Sequence, residues 1–340
     1  MITAWMLYAI LIGTLAFFAG VAAERAVSVW NGARRFVWLT ALIAATVVPV
    51  MLALRTQRFD DEMPPAPLPD LVDLVEKFSA VDPVVRTAWL VLSALACAIY
   101  LGAMTRLRFR ERRWRTDQLD GEPVLVADDF GPAVVGVFGS RVVVPRWAFE
   151  LDARSRRLML RHEEEHVRTG DPQLLFVAAL ALVLSPWNPA LWLIVARLRL
   201  NIEVDCDARV LLEREEGGDY GSLLLAVCAR RGLSLPLAPS LAEHTPDIEQ
   251  RIIAISDARP RWPLISSLSF AILAAGVIAI AANAPRPAPL RPPQQYSHGV
   301  LVLPGVTVNG YLPAERPHPV VLDTSNISRQ RAATGRGPVR

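Results

Sequence analysis

Residues 158–168 read Leu-Met-Leu-Arg-His-Glu-Glu-Glu-His-Val-Arg, and the rest of the chain is interpreted around this stretch. Asp152 precedes it as a plausible N-cap, which predicts a helix that begins just after that residue. On a helix, His162 and His166 are four residues apart and project from one face, with Glu163 beside them. The stretch therefore predicts a helix that presents two imidazoles and a carboxylate together.

These side chains are the residue types that a hydrolytic zinc site needs. Two imidazoles at this spacing can bind one zinc ion, and the metal lowers the pKa of a bound water toward about 7. Glu163 can then take the proton of that water as it attacks a peptide carbonyl, and pass the proton to the leaving amine. The competing interpretation is a solvated, charged helix face that contains two histidines, and the neighbouring Glu164 and Glu165 keep it open.

A third ligand is predicted downstream, in the stretch Asn-Ile-Glu-Val-Asp-Cys-Asp-Ala-Arg at residues 201–209. Glu203 and Asp207 share a helical face at positions i and i+4. Glu203 completes a His/His/Glu ligand set with an open position for water, and Asp207 is placed to accept a hydrogen bond from a ligand imidazole. Cys206 falls near the same face and is an alternative ligand, although histidine–carboxylate sets are typical of hydrolytic zinc and a small buried side chain is its ordinary role. Asp205 is expected to face solvent.

The residues between the two halves of the site must not cross a membrane completely. Two apolar segments there together have the length of one span, and a full crossing would put Glu203 on the opposite side from the histidines. The break at Ser185–Pro189 divides them into two half-length helices. We therefore predict a membrane-associated helical hairpin at about residues 173–199.

Short β-type runs, punctuated by glycine and proline, precede the zinc helix. They are Pro123–Ala127, Ala133–Phe138 and Arg141–Val144. The pattern predicts a hairpin or small sheet. An exposed strand there can hold an extended peptide substrate by backbone pairing, and simple core packing is the equal alternative.

The composition of the chain is that of a membrane protein. Of its 340 residues 52% are hydrophobic, and the mean hydropathy is +0.31. Four uncharged segments are long enough to cross a bilayer, at 4–21, 36–54, 88–104 and 264–282. They predict two transmembrane helices within residues 1–55, a third at 87–105 and a last at 263–284. Buried helices of a large soluble protein are the alternative, which four such segments disfavour.

The placement of arginine predicts how the chain is oriented. The loop between the first two helices and the run Arg106–Arg115 are rich in arginine, whereas the proline-rich segment 56–86 carries seven acidic residues. By the positive-inside rule, 56–86 is an external loop and 106–262 a cytoplasmic domain of a bacterial inner (plasma) membrane protein, with the amino terminus outside. Residues 285–340 then form an external, proline-rich and largely disordered tail. The arginine run can instead bind nucleic acid, but its position after a helix favours lipid headgroups, and we expect no direct nucleic-acid binding.

Several elements together resemble the BlaR/MecR family of membrane metallopeptidases. They are the transmembrane segments, Gly131–Pro145, the histidine motif followed by Asp171, the Trp187-Asn188-Pro189 turn, the Glu203/Asp207 pair and the helical segment Ile248–Ile252. The resemblance implies a mostly α, multi-pass membrane protein with an embedded α+β, gluzincin-like zinc peptidase domain. The Zn²⁺ ligands that it implies are His162, His166 and Glu203, and the implied catalytic base is Glu163.

The resemblance also implies signalling. The best-known family members sense β-lactams outside and then trigger the loss of a winged-helix transcriptional repressor inside. The tail of 56 residues (285–340) is too short for their penicillin-binding domain, so β-lactam sensing is not carried over. We expect an antirepressor-like membrane zinc endopeptidase, with a winged-helix repressor as one candidate substrate. The alternatives are a quality-control or prenyl-protein-type membrane protease, and a non-catalytic transducer with a vestigial zinc site.

Overall fold

The structure is a computed structural model that describes residues 2–30, 32–56, 69–128, 130–212, 217–231, 245–256, 263–282, 301–303 and 306–308. Most of these residues are helical. The helices are α1 (Ile2–Ser28), α2 (Arg35–Thr56), α3 (Pro69–Glu111), α4 (Ala153–Thr169), α5 (Asp171–Leu184), α6 (Pro189–Leu212), α7 (Gly217–Arg231), α8 (Thr245–Ser256) and α9 (Pro263–Ala282). The prediction of a mostly α fold is therefore confirmed.

A four-stranded mixed sheet lies in the chain between α3 and α4. Its strands are β1 (Arg115–Leu119), β2 (Glu122–Ala127), β3 (Ala133–Val135) and β4 (Arg141–Pro145), in the spatial order β1-β2-β4-β3. β1 and β2 pair antiparallel around Asp120 and Gly121, which both have positive φ, as a type I′ turn requires. β4 runs parallel to β2, and β3 pairs antiparallel with β4 at the edge. The predicted small sheet before α4, the helix with the histidine motif, is confirmed.

Three helices are long and apolar enough to cross a bilayer: α1, α2 over Arg35–Leu52 and α3 over Val81–Glu111. They coincide with the first three predicted transmembrane helices. A fourth candidate arises if α4 and α5, which meet at a bend of 61°, count as one span. Because α4 carries the charged histidine motif, we treat it as outside the membrane. The last predicted span corresponds to α9, whose described apolar stretch, Ser267–Ile280, is shorter than a full span, so that crossing stays a prediction.

The third helix begins earlier than expected. In the predicted external loop, 56–86, residues 57–68 lie outside the described part of the chain, but the chain is helical from Pro69 onward. The expected boundary followed hydropathy. The segment before it contains leucine, alanine, glutamate and lysine, which all favour a helix, and the charge of the last two does not prevent one. Within it, Asp82 accepts hydrogen bonds from the first backbone amides of α1 at 3.1 and 3.0 Å.

Two hydrophobic cores share α6. One joins the sheet to α4, α6 and α7 and contains Val144 and Leu160. The other joins α2, α5 and α6 and contains Trp38 and Leu198. Because α6 is packed on both sides, its polar side chains Asn201, Asp205 and Asp207 are buried.

α5 and α6 pack against each other on either side of a break at Ser185–Asn188. Asn188 is 1% exposed and holds this break. Its Oδ1 accepts a hydrogen bond from the Ala190 amide at 3.1 Å, and its Nδ2 donates to the Ala9 carbonyl of α1 at 3.3 Å. The break returns α6 to α4, which brings the two halves of the predicted site together. A membrane location for this pair, the predicted hairpin at 173–199, stays a prediction.

Residues from Pro289 onward form a separate compact unit. Its described residues are β5 (Leu301–Leu303) and β6 (Val306–Val308), which pair antiparallel. The rest of the predicted external tail, 285–340, lies outside the described residues.

Candidate metal centre

Both ends of α4 are fixed by capping residues. The Asp152 side chain accepts hydrogen bonds from the backbone amides of residues 154 and 155, which confirms the predicted N-cap. Gly170 ends the helix with φ of 69°, a conformation that residues with a Cβ rarely adopt. α5 departs from this glycine at the 61° bend. The first residue of α5, Asp171, thereby lies beside His166.

The three predicted ligand side chains converge on one point. The Nε2 atoms of His162 and His166 are 3.2 Å apart. The Glu203 carboxylate approaches both, with Oε2 3.4 Å from Nε2 of His162 and Oε1 3.6 Å from Nε2 of His166. The histidine side chains are only 13% and 11% exposed, whereas that of Glu203 is 32% exposed. The cluster is therefore open on the side of Glu203.

These separations fit a tetrahedral zinc centre. Zinc–nitrogen distances of about 2.0–2.1 Å and zinc–oxygen distances of about 2.0–2.2 Å place neighbouring ligand atoms roughly 3.3–3.5 Å apart. The three measured separations, 3.2, 3.4 and 3.6 Å, lie around that value. Three protein ligands leave a fourth tetrahedral position for water, as catalytic zinc sites do.

A second ligand set, His162, His166 and Cys206, also has its donor atoms within 4.8 Å of one another. The Cys206 sulfur, however, approaches His162 at Nδ1, at 3.4 Å, and not at the Nε2 atom that faces His166. The two sets thus use different edges of the His162 ring. We favour the set with Glu203, because both Nε2 atoms and a carboxylate meet at one place there. Cys206 is fully buried beneath the ring, in agreement with the expected small buried side chain.

His166 is held from the side of α2 and α5. Its Nδ1 bonds to Oδ2 of Asp171 at 2.8 Å, which leaves Nε2 directed toward the cluster. Asp171 also accepts hydrogen bonds from the Thr169 hydroxyl at 2.9 Å and from the Arg35 guanidinium at 2.8 Å. The charge of this buried carboxylate is therefore balanced by a cation on the first turn of α2.

His162 is held from the side of α7 and α8. Its Nδ1 lies 2.9 Å from the Tyr220 hydroxyl, which donates to Oδ1 of Asp207 at 2.6 Å. Asp207 accepts two further hydrogen bonds from Arg251, both at 2.8 Å. Its own oxygen is 3.5 Å from Nδ1 of His162, which is long for a hydrogen bond. Asp207 thus reaches His162 mainly through Tyr220, and not by the direct bond that its spacing predicts.

The charges around the cluster favour a cation at its centre. Burial lowers the pKa of His162, but Cys206 and Glu203 outweigh burial and raise it to about 10. Burial also opposes the charge of His166, yet Glu203 and Asp171 raise its pKa well above the ordinary value. Burial opposes ionisation of Glu203, but Arg251 and His166 hold its pKa well below the ordinary range. An ionised carboxylate beside two imidazoles that attract protons is the electrostatic setting in which a divalent cation replaces those protons.

The three consecutive glutamates have different surroundings. Glu163 is 4% exposed, and none of the described residues forms a hydrogen bond or ion pair with its carboxylate. Glu164 faces outward, into a groove of about 330 Å³ between α4 and the sheet. Glu165 is buried and bound by Arg168 and by Arg209 of α6, at 2.6–3.0 Å. The charged stretch is therefore not a uniformly solvated face.

Four side chains of the site were assigned no role from the sequence, although Asp171 and the segment that contains Arg251 contributed to the family resemblance. They are Arg35, Asp171, Tyr220 and Arg251. Asp171 had a local signal, because it follows the histidine motif directly after a helix-ending glycine. Asp205 contradicts its prediction: it is 6% exposed and not solvent-facing, because α6 packs against the start of α2 on that side.

Comparison with known proteins agrees with this geometry. A family model described as BlaR1 peptidase M56 matches residues 2–255. The chain is also similar to the regulatory protein BlaR1 of Bacillus licheniformis, with 23% identity over 158 residues, which is 45% of this chain and 26% of that protein. The alignment thus spans about a quarter of the relative's length. The family match includes all of the side chains described above, and metallopeptidases of this kind require a metal, which the cluster fits. The chain belongs to the BlaR1 peptidase M56 family.

Proposed function

We propose that this chain is a membrane-embedded zinc endopeptidase that cleaves a protein substrate at the cytoplasmic face of a bacterial inner membrane, in a signalling or transcription-regulating pathway. One observation carries the proposal: the donor atoms of His162, His166 and Glu203 meet at 3.2–3.6 Å. Membership of a peptidase family supports the reaction, and the apolar helices support the bilayer.

The roles of the side chains follow from their positions. His162 and His166 would hold Zn²⁺ through Nε2, and Glu203 through its carboxylate. When bound, zinc supplies a Lewis acid that polarises a carbonyl and lowers the pKa of a water toward about 7. Asp171 orients His166 directly, and Asp207 orients His162 through Tyr220.

Glu163 is proposed as the general base. Its carboxylate takes the proton of the attacking water and later gives it to the leaving amine. Its surroundings support this role, because no arginine in the described part of the chain binds it, whereas the adjacent Glu165 is bound by two. A carboxylate held by two guanidinium groups is a poor base, since its charge is already stabilised. Of the three glutamates, Glu163 is thus the one suited to proton transfer.

β3 is the candidate substrate-binding strand. It lies at the edge of the sheet and packs against α4, and just beyond it the Val137 carbonyl accepts a hydrogen bond from Gln173 of α5 at 2.6 Å. One face of the strand is used for packing, since Val135 is 3% exposed in a core cluster. Its edge supports pairing with an extended peptide beside the metal centre.

The orientation and the pathway rest on separate arguments. The metal centre contacts the start of α2, where Arg34 and Arg35 lie, and the run Arg106–Arg115 spans the end of α3. Under the positive-inside rule these ends are cytoplasmic, which supports a cytoplasmic site. The name of the BlaR1 relative, a regulatory protein, supports a regulatory role, with a winged-helix repressor as candidate substrate.

The test compares the wild type with Glu163→Gln, and with Glu164→Gln as a matched control on the outward face of the same helix. Zinc is measured in each purified protein, and new protein N-termini are mapped by mass spectrometry in bacterial cells that express each one. We expect near-equal zinc in all three proteins. Substrate-derived N-termini should form with the wild type and Glu164→Gln, and fall by about 10²–10⁴ in rate with Glu163→Gln.

Three other outcomes would contradict the mechanism or favour an alternative function. Equal cleavage by the wild type and Glu163→Gln would contradict the mechanism. Full zinc without cleavage by any of the three proteins would favour a non-catalytic transducer. Cleavage of many membrane proteins, with no single regulator among them, would favour a quality-control protease.

A further inference from the structure

The first turn of α2 is bound to the helix that carries Glu203. The backbone amides of Arg34 and Arg35 donate to the two carboxylate oxygens of Asp205, at 3.0 and 2.9 Å. Asp205 lies two residues after Glu203 and acts as an N-cap for α2, although it belongs to another helix. The position of this turn is therefore fixed relative to one proposed ligand.

The side chain of Arg35 reaches toward a second proposed ligand. Its NH1 donates to Oδ1 of Asp171 at 2.8 Å, and Oδ2 of the same carboxylate bonds to Nδ1 of His166 at 2.8 Å. The Arg35 and Asp171 side chains are 10% and 2% exposed, so the pair is almost completely removed from water. A continuous chain of two short contacts thus joins α2 to a ligand imidazole.

Arg209 is the other cation near this carboxylate. Its NH2 is 3.9 Å from Oδ2 of Asp171, beyond hydrogen-bond distance, and its Nε is bound to Glu165. Within the described part of the chain, Arg35 is therefore the cation that hydrogen-bonds Asp171. A buried carboxylate needs such a partner to offset the cost of its burial and to hold it in place.

We propose that Arg35 is a positioning residue of the metal centre, which sets the orientation of His166 through Asp171 and so links the position of α2 to the affinity for zinc. This inference rests on the proposed function in one respect, that His166 binds the metal. α2 is a candidate membrane span, and its start contacts the metal centre through the Arg35–Asp171 pair as well as through Asp205. Groups that orient a ligand histidine alter metal affinity by roughly 10–100-fold.

The experiment measures zinc affinity in the full chain, purified in detergent, by competition with a chelator of known affinity. Arg35→Gln removes the cation and keeps a polar side chain. Arg34→Gln is the matched control, because it removes one positive charge from the same turn without touching Asp171. Arg35→Lys restores the charge without the planar guanidinium. Asp171→Asn, alone and combined with Arg35→Gln, completes a double-mutant cycle.

We expect Arg35→Gln to weaken zinc binding by about 10-fold, Arg35→Lys to recover part of that loss, and Arg34→Gln to match the wild type. Asp171→Asn should weaken binding more than Arg35→Gln, and the double variant should be no weaker than Asp171→Asn alone, since both changes act through one contact. Melting of the metal-free proteins is compared so that a general loss of folding is recognised.

Three results would overturn the inference. The first is wild-type zinc affinity in Arg35→Gln. The second is an equal loss in Arg34→Gln, which would mean that the loop charge alone matters. The third is additive losses in the double variant, which would place the two residues on separate routes. Because zinc affinity needs no substrate, a wild type that binds zinc but cleaves nothing refutes the proposed activity and leaves this inference standing.

Discussion

His162 and His166 lie one turn apart on α4, but the side chains that hold them come from different regions of the molecule. His166 bonds directly to a carboxylate, Asp171, whose charge is balanced by Arg35 at the start of a candidate membrane span. His162 meets the hydroxyl of Tyr220, and only behind that hydroxyl does a carboxylate–arginine pair follow, on α6 and α8. One histidine thus depends on α2 and α5, and the other on α6, α7 and α8.

This difference indicates that the two ligands respond to different parts of the chain. A carboxylate bonded directly to an imidazole raises its basicity more than a neutral hydroxyl does, since the bond is charge-assisted. We therefore expect changes in α2 to act mainly at His166, and changes in α7 or α8 to act mainly at His162. We expect the largest effects from loss of a ligand, smaller ones from loss of a support, and the smallest from the contacts that hold α4 to α6.

The largest expected effect is the loss of a ligand. His166→Ala removes one Nε2 donor, which leaves the zinc with two of its three proposed protein ligands. Purified His166→Ala should lose its stoichiometric zinc on dialysis against a weak chelator, as measured by elemental mass spectrometry. Stoichiometric metal retained after dialysis would mean that the ligand set is wrong.

A matched pair of variants separates the two ligand sets. Glu203→Ala should lose zinc as His166→Ala does, whereas Cys206→Ala should keep it, because the sulfur faces the Nδ1 edge of His162. The opposite result would assign the metal to the His/His/Cys set.

The next effect distinguishes the direct support from the relayed one. Asp171→Asn removes the charge that touches His166 and should weaken zinc binding by about 100-fold, whereas Tyr220→Phe should weaken it by about 10-fold or less. The smaller loss is expected because the Asp207 carboxylate still lies 3.5 Å from Nδ1 of His162 when the hydroxyl is gone. Chelator competition measures both. Equal losses would show that the hydroxyl relay is as strong as the direct carboxylate.

The local parts of the site were predictable from sequence, because they depend on helical periodicity. The spacing of His162 and His166 and the N-cap Asp152 follow from positions within one or two turns of a helix, whereas Glu203 also required the break at Ser185–Pro189 to return the chain. The first three membrane helices follow from composition alone. These features need no knowledge of which helices are neighbours.

The outer supports of the histidines, Arg35 and Tyr220, were not predictable, because they come from distant parts of the chain. Arg35 is 136 residues from Asp171, and Tyr220 is 58 residues from His162. Asp205 shows a second limit of prediction from sequence. Two positions from Glu203, it was assigned to a solvent-facing side of α6, but that side packs against the start of α2. Sequence periodicity identifies one face of a helix, and it does not reveal that the opposite face is also covered.

The smallest expected effect concerns two adjacent glutamates, one of which forms the ion pair that holds α4 to α6. Glu165 is 5% exposed and bound by Arg168 and Arg209, whereas Glu164 faces outward. Glu165→Gln leaves the mostly buried Arg209 without its carboxylate and should lower the free energy of unfolding by about 1–3 kcal/mol. Glu164→Gln should stay within about 0.5 kcal/mol of the wild type. Thermal unfolding of the metal-free proteins in detergent measures both.

The dependence of that difference on pH shows whether the charge of Glu165 is responsible. Hydrogen bonds from Arg168 and then Arg209 hold the pKa of Glu165 below its ordinary value. A carboxyl group whose pKa is lowered by folding contributes stability that is complete above its unfolded-state pKa, about 4.3, and that is lost as the pH falls through the folded value. The difference in melting temperature between the wild type and Glu165→Gln should therefore be constant from about pH 7 to about pH 5 and shrink below about pH 4. A difference that stays unchanged on further acidification would mean that the shape of the side chain, and not its charge, holds α4 against α6.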